Sequence, residues 1–197
     1  DKLDNFIQQY PRFLPANIKV PALLEKLRKE IPRALQNEQK IKQALHSNPD
    51  YIALIHWNAN LDNAWFWRDD NGQLDCGLMD WGGVGQMNIG LALWGALSAA
   101  ETSLWREQEE SLLSLFIQEY AAAGGPQLEL ATLQQHLVSA STMMSLSWLM
   151  DAPAMIQLAI PNLAEVKDRF APEFQENESP RVQLQMLSNF LHLLDKQ

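Results

Sequence analysis

The sequence predicts a mainly α-helical protein of the α+β class, with one small β-hairpin region between its helices. Apolar residues recur at helical spacing along most of the 197 residues. Short β-rich runs are confined to about residues 51–79, and an Asp-Asn-Gly turn joins two of them. Because no internal repeat or low-complexity tract interrupts this pattern, we expect a helical body with a small β insert.

The first twenty residues predict an irregular lead-in that packs on the rest of the protein. Pro11 and Pro15 punctuate this segment, which is otherwise rich in apolar side chains. A helix is predicted to begin at Pro21, since proline is tolerated in the first helical turn. Pro32 is expected to kink or divide this helix, whose apolar stripe continues to Leu45 before a Ser-Asn-Pro-Asp turn.

Three β-strands are predicted next, over Tyr51–His56, Ala64–Trp67 and Leu74–Met79. The last two are expected to form a hairpin through a turn at residues 69–72. Cys76 lies on the third strand and is predicted to be a small core residue, because free cysteine is usually buried.

Apolar periodicity then predicts five further helices. They are expected over Ile89–Ala100, Thr102–Ala123, Leu128–Met150, Ala154–Arg169 and Pro180–Lys196. A Gly-Gly-Pro sequence at residues 124–126 should end the second of them, because glycine favours helix C-termini and proline cannot continue a helix.

Charge is distributed unevenly along the chain. Residues 1–68 contain ten Lys and Arg against seven Asp and Glu, whereas residues 69–197 contain five against seventeen. The acidic part argues against a nucleic-acid surface, which needs clustered Lys and Arg. It would suit a cationic small molecule, although a solvated acidic face explains such a balance as well.

Composition also limits the cellular location and the disulfide and metal chemistry that can be expected. No apolar run approaches the roughly 20 residues of a membrane span, and no basic leader precedes an apolar segment. One cysteine excludes an internal disulfide, and the four histidines are too scattered for a zinc cluster. We therefore expect a cytoplasmic protein without contact to membranes.

Two short motifs contain the candidate site. Residues 56–63 read His-Trp-Asn-Ala-Asn-Leu-Asp-Asn, and residues 78–82 read Leu-Met-Asp-Trp-Gly. Taken singly, Asn63 could be an Asx-turn residue and Asp80 an acid that caps the loop after the hairpin. Their joint spacing around a hairpin favours a catalytic-loop region instead.

These motifs resemble those of the aminoglycoside phosphotransferase and choline kinase family, which has a protein-kinase-like fold. In that family the catalytic turn commonly reads His-Gly-Asp-Leu-His-x-x-Asn, and a hairpin then ends in Ile-Asp-Trp-Gly. The resemblance implies that residues 21–197 form the helical C-terminal lobe of such a fold. Only the segment from His56 to about Trp94 contains specific motifs.

By this resemblance, Asn63 and Asp80 would bind Mg²⁺ and, through it, the phosphates of ATP. Asn58 stands where the family has the catalytic Asp, which accepts or orients the proton of the attacking hydroxyl group. Asn58 has nearly the same shape as Asp but cannot take up a proton. His56 is expected to support the loop structurally by hydrogen bonding.

Other departures from the family pattern indicate a degenerate site. Trp57 replaces a glycine, and Asn60 replaces the second histidine. Beyond the hairpin, where the family often has Gly-Asp-Pro-x-x-Asp-Leu, residues 87–93 read Met-Asn-Ile-Gly-Leu-Ala-Leu. Both acidic residues of that family segment are therefore absent.

The nucleotide-binding lobe of a kinase is not recognisable in this sequence. Such a lobe needs a glycine-rich loop and a strand lysine ahead of the catalytic turn, but the first glycine is Gly72. Because the chain begins at Asp1 without an initiator Met, we expect either an upstream N-lobe, a partner chain that supplies one, or a native partial fold.

Three functions remain open at this point. The first is a catalytically degenerate, pseudokinase-like lobe with a binding or regulatory role and no cofactor. The second is an active ATP- and Mg²⁺-dependent phosphotransferase that acts on an alcohol group of a small hydroxylated or amine-bearing molecule when joined to an N-lobe. The third is a helical interaction module whose contacts involve Trp57, Trp65, Trp67 and Trp81, although a hairpin packed on helices would bury several of these.

Overall fold

The computed structural model describes residues 2–196, and over this range it is mainly helical. The helices are α1 Lys2–Gln9, α2 Val20–Gln36, α3 Glu38–Ser47, α4 Ile89–Leu97, α5 Thr102–Ala122, α6 Leu130–Trp148, α7 Ala152–Ala159, α8 Pro172–Gln175 and α9 Glu178–Asp195. The strands are β1 Ile52–Ile55, β2 Ala64–Arg68, β3 Leu74–Leu78 and β4 Gly85–Asn88. The predicted class, α+β and mainly α, is therefore confirmed.

The strands form two separate two-stranded antiparallel sheets. In the β2–β3 hairpin, Ala64 lies opposite Leu78, and the turn closes through a hydrogen bond from Gly72 N to Asp69 O of 2.9 Å. Gly72 has a φ of +78°, a conformation that glycine adopts without strain. The predicted hairpin is confirmed.

The first strand does not join this hairpin. β1 pairs with β4, with Ile52 opposite Asn88. β4 was not predicted, because its sequence Gly-Gln-Met-Asn lacks the β-branched residues by which strands are recognised.

The chain divides into two compact units. The first unit comprises residues 2–41, 99–109 and 141–196, and its core includes Phe6, Phe13 and Phe174. The rings of Phe13 and Phe174 meet edge to face at 5.2 Å. The helices α1, α2, α7 and α9 pack together here.

The second unit comprises residues 42–98 and 110–140 and contains both sheets together with α4. Tyr51 anchors the start of β1, since its hydroxyl oxygen accepts a hydrogen bond of 3.0 Å from Glu129 N. The ring of Tyr51 also contacts that of His136 edge to face, at 4.6 Å. The candidate motifs all lie in this unit.

Two predictions for the N-terminal region were wrong. The lead-in is not irregular, because Lys2–Gln9 forms α1 and buries Phe6 and Ile7 against the first unit. Pro32 does not divide α2, which runs through it to Gln36. The break falls at Asn37 instead, whose side chain donates to the carbonyl oxygen of Arg33 at 2.8 Å.

Later elements also differ from prediction in two places. The helix expected over Ala154–Arg169 ends at Ala159, and a 3₁₀ turn at Leu163–Glu165 follows. Pro161 accounts for this end, because the residue before a proline is disfavoured in the α conformation. Cys76 is exposed and is not a core residue.

The aromatic residues of the hairpin are more exposed than expected. The exposed fractions of Trp65, Phe66 and Trp81 are 47%, 53% and 53%. No other part of residues 2–196 covers these side chains fully. Among residues 2–196, no helix is both long enough and apolar enough to cross a lipid bilayer.

Candidate functional site

The candidate site is built from two loops of the second unit. One follows β1 and runs from His56 to Asn63, and the other follows β3 at Asp80. The β2–β3 hairpin joins them, and its register places Ala64 opposite Leu78. Met79 N donates to Asn63 O at 2.9 Å, so Met79 lies opposite Asn63 at the base of the hairpin. Asp80 is the next residue after Met79.

Asn63 closes the first loop. Its side-chain Nδ2 donates to the backbone carbonyl oxygen of Asn58 at 2.9 Å. The residue is partly buried, and no hydrogen bond to its Oδ1 is made within residues 2–196. An amide held by its nitrogen leaves its oxygen available as a ligand or acceptor.

His56 fixes the loop to the second motif. Its Nε2 lies 2.7 Å from Met79 O, and its Nδ1 accepts from Asn58 N at 3.3 Å. These two bonds require the neutral ring with its proton on Nε2. The ring also contacts Trp81 edge to face at 5.0 Å. This geometry is that of the structural support expected of His56.

Asn58, at the position of the family's Asp, is engaged within the loop. Its Oδ1 accepts from Asn60 Nδ2 at 2.9 Å, and Asn60 Oδ1 in turn accepts from Asp62 N at 3.1 Å. The side-chain oxygen of Asn58 therefore has a hydrogen-bond partner inside the loop. Neither contact was predicted, although Asn60-x-Asp62 is a typical Asx-turn pattern and could have indicated the second.

Asp80 has the most unusual backbone at the site. Its φ of 60° and ψ of 55° place it in the left-handed region, and no other non-glycine residue among 2–196 has a positive φ. This conformation costs an L-residue roughly 1–2 kcal/mol. Strain of this kind concentrates at functional sites, where surrounding structure maintains it.

The carboxylate of Asp80 is available to a ligand. Asp80 is exposed, and within residues 2–196 its side chain forms neither a hydrogen bond nor an ion pair. A carboxylate and an amide oxygen, each without a hydrogen-bond partner among residues 2–196, are oxygen donors of the kind that a hard cation prefers.

Trp57 is accommodated where the family has a glycine. Its indole packs on Gly83, where an added Cβ would lie 2.1 Å from the indole Nε1. Its carbonyl oxygen packs on Gly95, where an added Cβ would lie 1.5 Å away. Gly83 and Gly95 thus leave the space that Trp57 occupies.

Asn88, in the segment after the hairpin, has a structural role. Asn88, where the family often has an acid, is 3% exposed and its Oδ1 accepts from Gly90 N at 2.8 Å as the N-cap of α4. Its Nδ2 donates to Leu45 O at 2.7 Å and lies 3.0 Å from His136 Nδ1. An Asn directly before an apolar helix is a recognisable N-cap signal.

The residues present fit Mg²⁺ only in part. Mg²⁺ accepts one or two protein oxygens and completes its octahedron with water and phosphate, which Asn63 and Asp80 could satisfy. Within residues 2–196, no cluster of three His, Cys, Asp or Glu side chains could hold a metal ion alone. The sequence before Tyr51 contains no glycine-rich phosphate loop. A nucleotide would therefore need contacts from elsewhere.

Comparisons with protein-family models, with curated proteins and with solved structures found no match to this chain.

Proposed function

We propose that this chain is a kinase-like C-terminal lobe that has lost catalytic turnover at Asn58 and has a binding or regulatory role. The observation that supports this most is the closed loop in which Asn63 Nδ2 bonds Asn58 O and Met79 N bonds Asn63 O. This arrangement holds the backbone of Asn63 against that of Met79, the residue before Asp80, although Asn58 stands where we propose that a general base has been replaced.

The state of Asn58 supports the loss of turnover. Its amide cannot take up a proton, and its Oδ1 is already bonded to Asn60. Removal of a general base costs about 10²- to 10⁴-fold in rate. Since Asn88 is committed to capping α4, the acid that the family often has at that position is replaced by a structural amide.

The exposed aromatic residues support a binding role. Trp65 and Trp67 lie on one face of β2 and stack with ring centroids 5.9 Å apart, while Phe66 lies on the other face. An isolated two-stranded hairpin is only marginally stable in water. A covering lobe or partner chain would bury this apolar surface, so we propose an upstream N-lobe or a separate chain as the partner.

An active phosphotransferase is the second candidate. Its specific support is Asp80, which adopts the left-handed conformation at an energetic cost while its carboxylate has no partner among the described residues. When bound, Mg²⁺ would neutralise charge on the phosphates of ATP, and Asn63 and Asp80 would hold it. The acidic balance of residues 69–197 would favour a cationic acceptor.

ATP turnover distinguishes the two candidates. We would measure phosphate release from Mg-ATP, with and without small amino alcohols, for the wild-type chain joined to the N-lobe that the second candidate requires and for Asn58→Asp in the same complex. The proposal predicts no release above background for the wild type. Release that depends on an acceptor and is abolished by Asp80→Asn would establish the active enzyme instead. A gain of turnover in Asn58→Asp alone would identify Asn58 as the main defect.

A further inference from the structure

The first unit contains an open cavity of about 440 Å³ that is remote in sequence from the motifs described above. Three arginines line it, namely Arg12, Arg106 and Arg169, and the first turn of α5 contributes Ser103. Apolar atoms of Leu14 and Phe170 complete the wall. This cavity combines positive charge with an apolar surface.

Arg169 is the central basic residue of this region. It is partly buried, and its guanidinium donates to the side chains of Gln185 and Ser188, with 3.3 Å to the Ser188 hydroxyl. Both partners are neutral. Burial lowers the pKa of Arg169, which reflects a cost of holding its charge away from water.

A hydrogen-bond network holds Arg169 in position. Gln185 Nε2 donates to Ala100 O at 2.7 Å and to Thr102 Oγ1 at 3.0 Å. Thr102 Oγ1 donates to Asn189 Oδ1 at 2.8 Å. Because these partners are buried, the orientation of the guanidinium is set before any ligand arrives, which reduces the entropic cost of binding.

Two of the three arginines form no close ion pair among residues 2–196. Arg12 donates to the carbonyl oxygens of Leu163, Ala164 and Val166, and neither Arg12 nor Arg169 forms an ion pair within 4 Å among residues 2–196. The sequence has 24 acids against 15 Lys and Arg. Unpaired arginines that share one cavity are therefore notable in so acidic a protein.

Two carboxylates also line the cavity and limit the ligand. Asp168 is used locally, since its Oδ1 accepts from Phe170 N at 2.9 Å. Glu101 is exposed, and its charge raises the pKa of Arg169 against the effect of burial. With three positive and two negative groups, the cavity would favour a ligand of small charge over a polyanion.

A second cavity, of about 80 Å³, adjoins Arg169 as well. It shares Glu101, Arg169 and Phe170 with the first and adds Arg181. Arg169 therefore borders two cavities of the same unit, and Arg181 lines the smaller one.

We propose that the larger cavity binds a small organic anion, a carboxylate or phosphate group attached to an apolar body, with Arg169 as the principal charge. The anionic group would lie against Arg169 and the N-terminal turn of α5, where the helix dipole favours negative charge. The apolar body would contact Leu14 and Phe170. This site is independent of the proposed role of Asn58, Asn63 and Asp80.

The test uses benzoate, phenyl phosphate and inorganic phosphate as probes of the 197-residue chain at low ionic strength. We would follow the Arg169 Nε–H signal and the Ser103 amide by ¹H–¹⁵N spectroscopy. The proposal predicts saturable shifts with benzoate, phenyl phosphate or both, and weaker binding of inorganic phosphate, which lacks the apolar body. Preference between the two aromatic probes distinguishes a carboxylate from a phosphate ligand.

Two variants should weaken the binding of the preferred probe about tenfold or more, the expected effect of losing a charge-assisted hydrogen bond. Arg169→Gln removes the charge. Ser103→Asp places a competing carboxylate in the cavity at a position where an acid stabilises the helix, so this variant should fold even if the first does not. Ser111→Asp makes the same change farther along α5 and serves as the control.

Three results would overturn the proposal. The first is that neither aromatic probe causes saturable shifts. The second is that Ser103→Asp and Ser111→Asp weaken binding of the preferred probe equally. The third is that a folded Ser103→Asp variant binds that probe with unchanged affinity.

Discussion

Asn63 donates its side-chain amide to the backbone carbonyl oxygen of Asn58 at 2.9 Å, across five residues of the loop that follows β1. The bond joins the two residues that we propose as the counterparts of a catalytic Asp and a metal-binding Asn. It keeps the loop between them closed. A closed loop alone does not establish an activity, because function depends on the chemistry of the site and not on the fold.

Loss of this bond should destabilise the second unit. We expect Asn63→Ala to lower the free energy of unfolding by roughly 1 kcal/mol, the usual net value of one partly buried hydrogen bond. Urea denaturation followed by tryptophan fluorescence would measure it. Asp62→Ala, at an exposed neighbouring position, is the control. An unchanged midpoint in Asn63→Ala would show that the loop does not depend on this contact.

The left-handed backbone at Asp80 should make substitutions there unequal. Asn tolerates this conformation, whereas Ala does not, so Asp80→Asn should retain stability and Asp80→Ala should lose roughly 1–2 kcal/mol. Thermal unfolding of both variants measures the difference. Equal melting temperatures for the two variants would contradict a strained backbone at Asp80.

The packing of Trp57 on Gly95 predicts a contrast between two glycine substitutions. Gly95→Ala should cost roughly 3 kcal/mol or more, because its Cβ would meet the Trp57 carbonyl oxygen at 1.5 Å. Gly72→Ala has open space around it and a φ of +78°, so it should cost only about 1 kcal/mol from backbone strain. Chemical denaturation of both variants checks this order, and a reversed order would refute the close contact.

Two histidines, the partly buried His136 and the buried His192, predict a loss of stability in acid. Burial lowers the pKa of His136 and of His192; Lys196 and Arg106 lower that of His192 further, while Glu109 and Asp195 raise it. The unfolded chain then binds more protons than the folded one near and below the ordinary histidine pKa of about 6.5. Their stabilising contribution is therefore complete above this value and is lost as the pH falls through it toward the lower folded pKa.

We expect the free energy of unfolding to be smaller at acidic than at neutral pH, and His192→Leu to reduce that dependence. His192 is the better target because its Nε2 is buried without a hydrogen-bond partner in the described structure. His46→Leu, at an exposed position, is the matched control. A pH dependence that is the same in wild type and in His192→Leu would exclude this histidine as a source.

The fold was predictable where local signals dominate. The Asp-Asn-Gly turn predicted the β2–β3 hairpin, and Gly124 predicted the end of α5, where its φ is +93°. The pairing of β1 with β4 was not predictable, because it depends on a long-range contact and β4 has weak β propensity. Pro32 was misleading, since α2 continues through it to Gln36 although proline cannot donate the helical hydrogen bond at its position.

The candidate site was predictable only in its residue list. The spacing of His56, Asn63 and Asp80 in the sequence indicated that list. It did not predict the hydrogen bond between Asn58 and Asn60, nor the left-handed backbone conformation of Asp80. Hydrogen-bond partners among three neighbouring asparagines depend on side-chain rotamers, which spacing does not specify. The arginine cavity was not predicted either, because its lining residues come from three distant segments.

We propose that Asn63 and Asp80 are the remnant of a cation site, and titration with Mg²⁺ decides whether that remnant still binds an ion. We would follow the Asn63 side-chain amide and the Asp80 backbone amide by ¹H–¹⁵N spectroscopy in wild type and in Asp80→Asn. The account predicts saturable shifts at both residues in wild type and their loss in the variant. The absence of shifts, or equal shifts in Asp80→Asn, would contradict it.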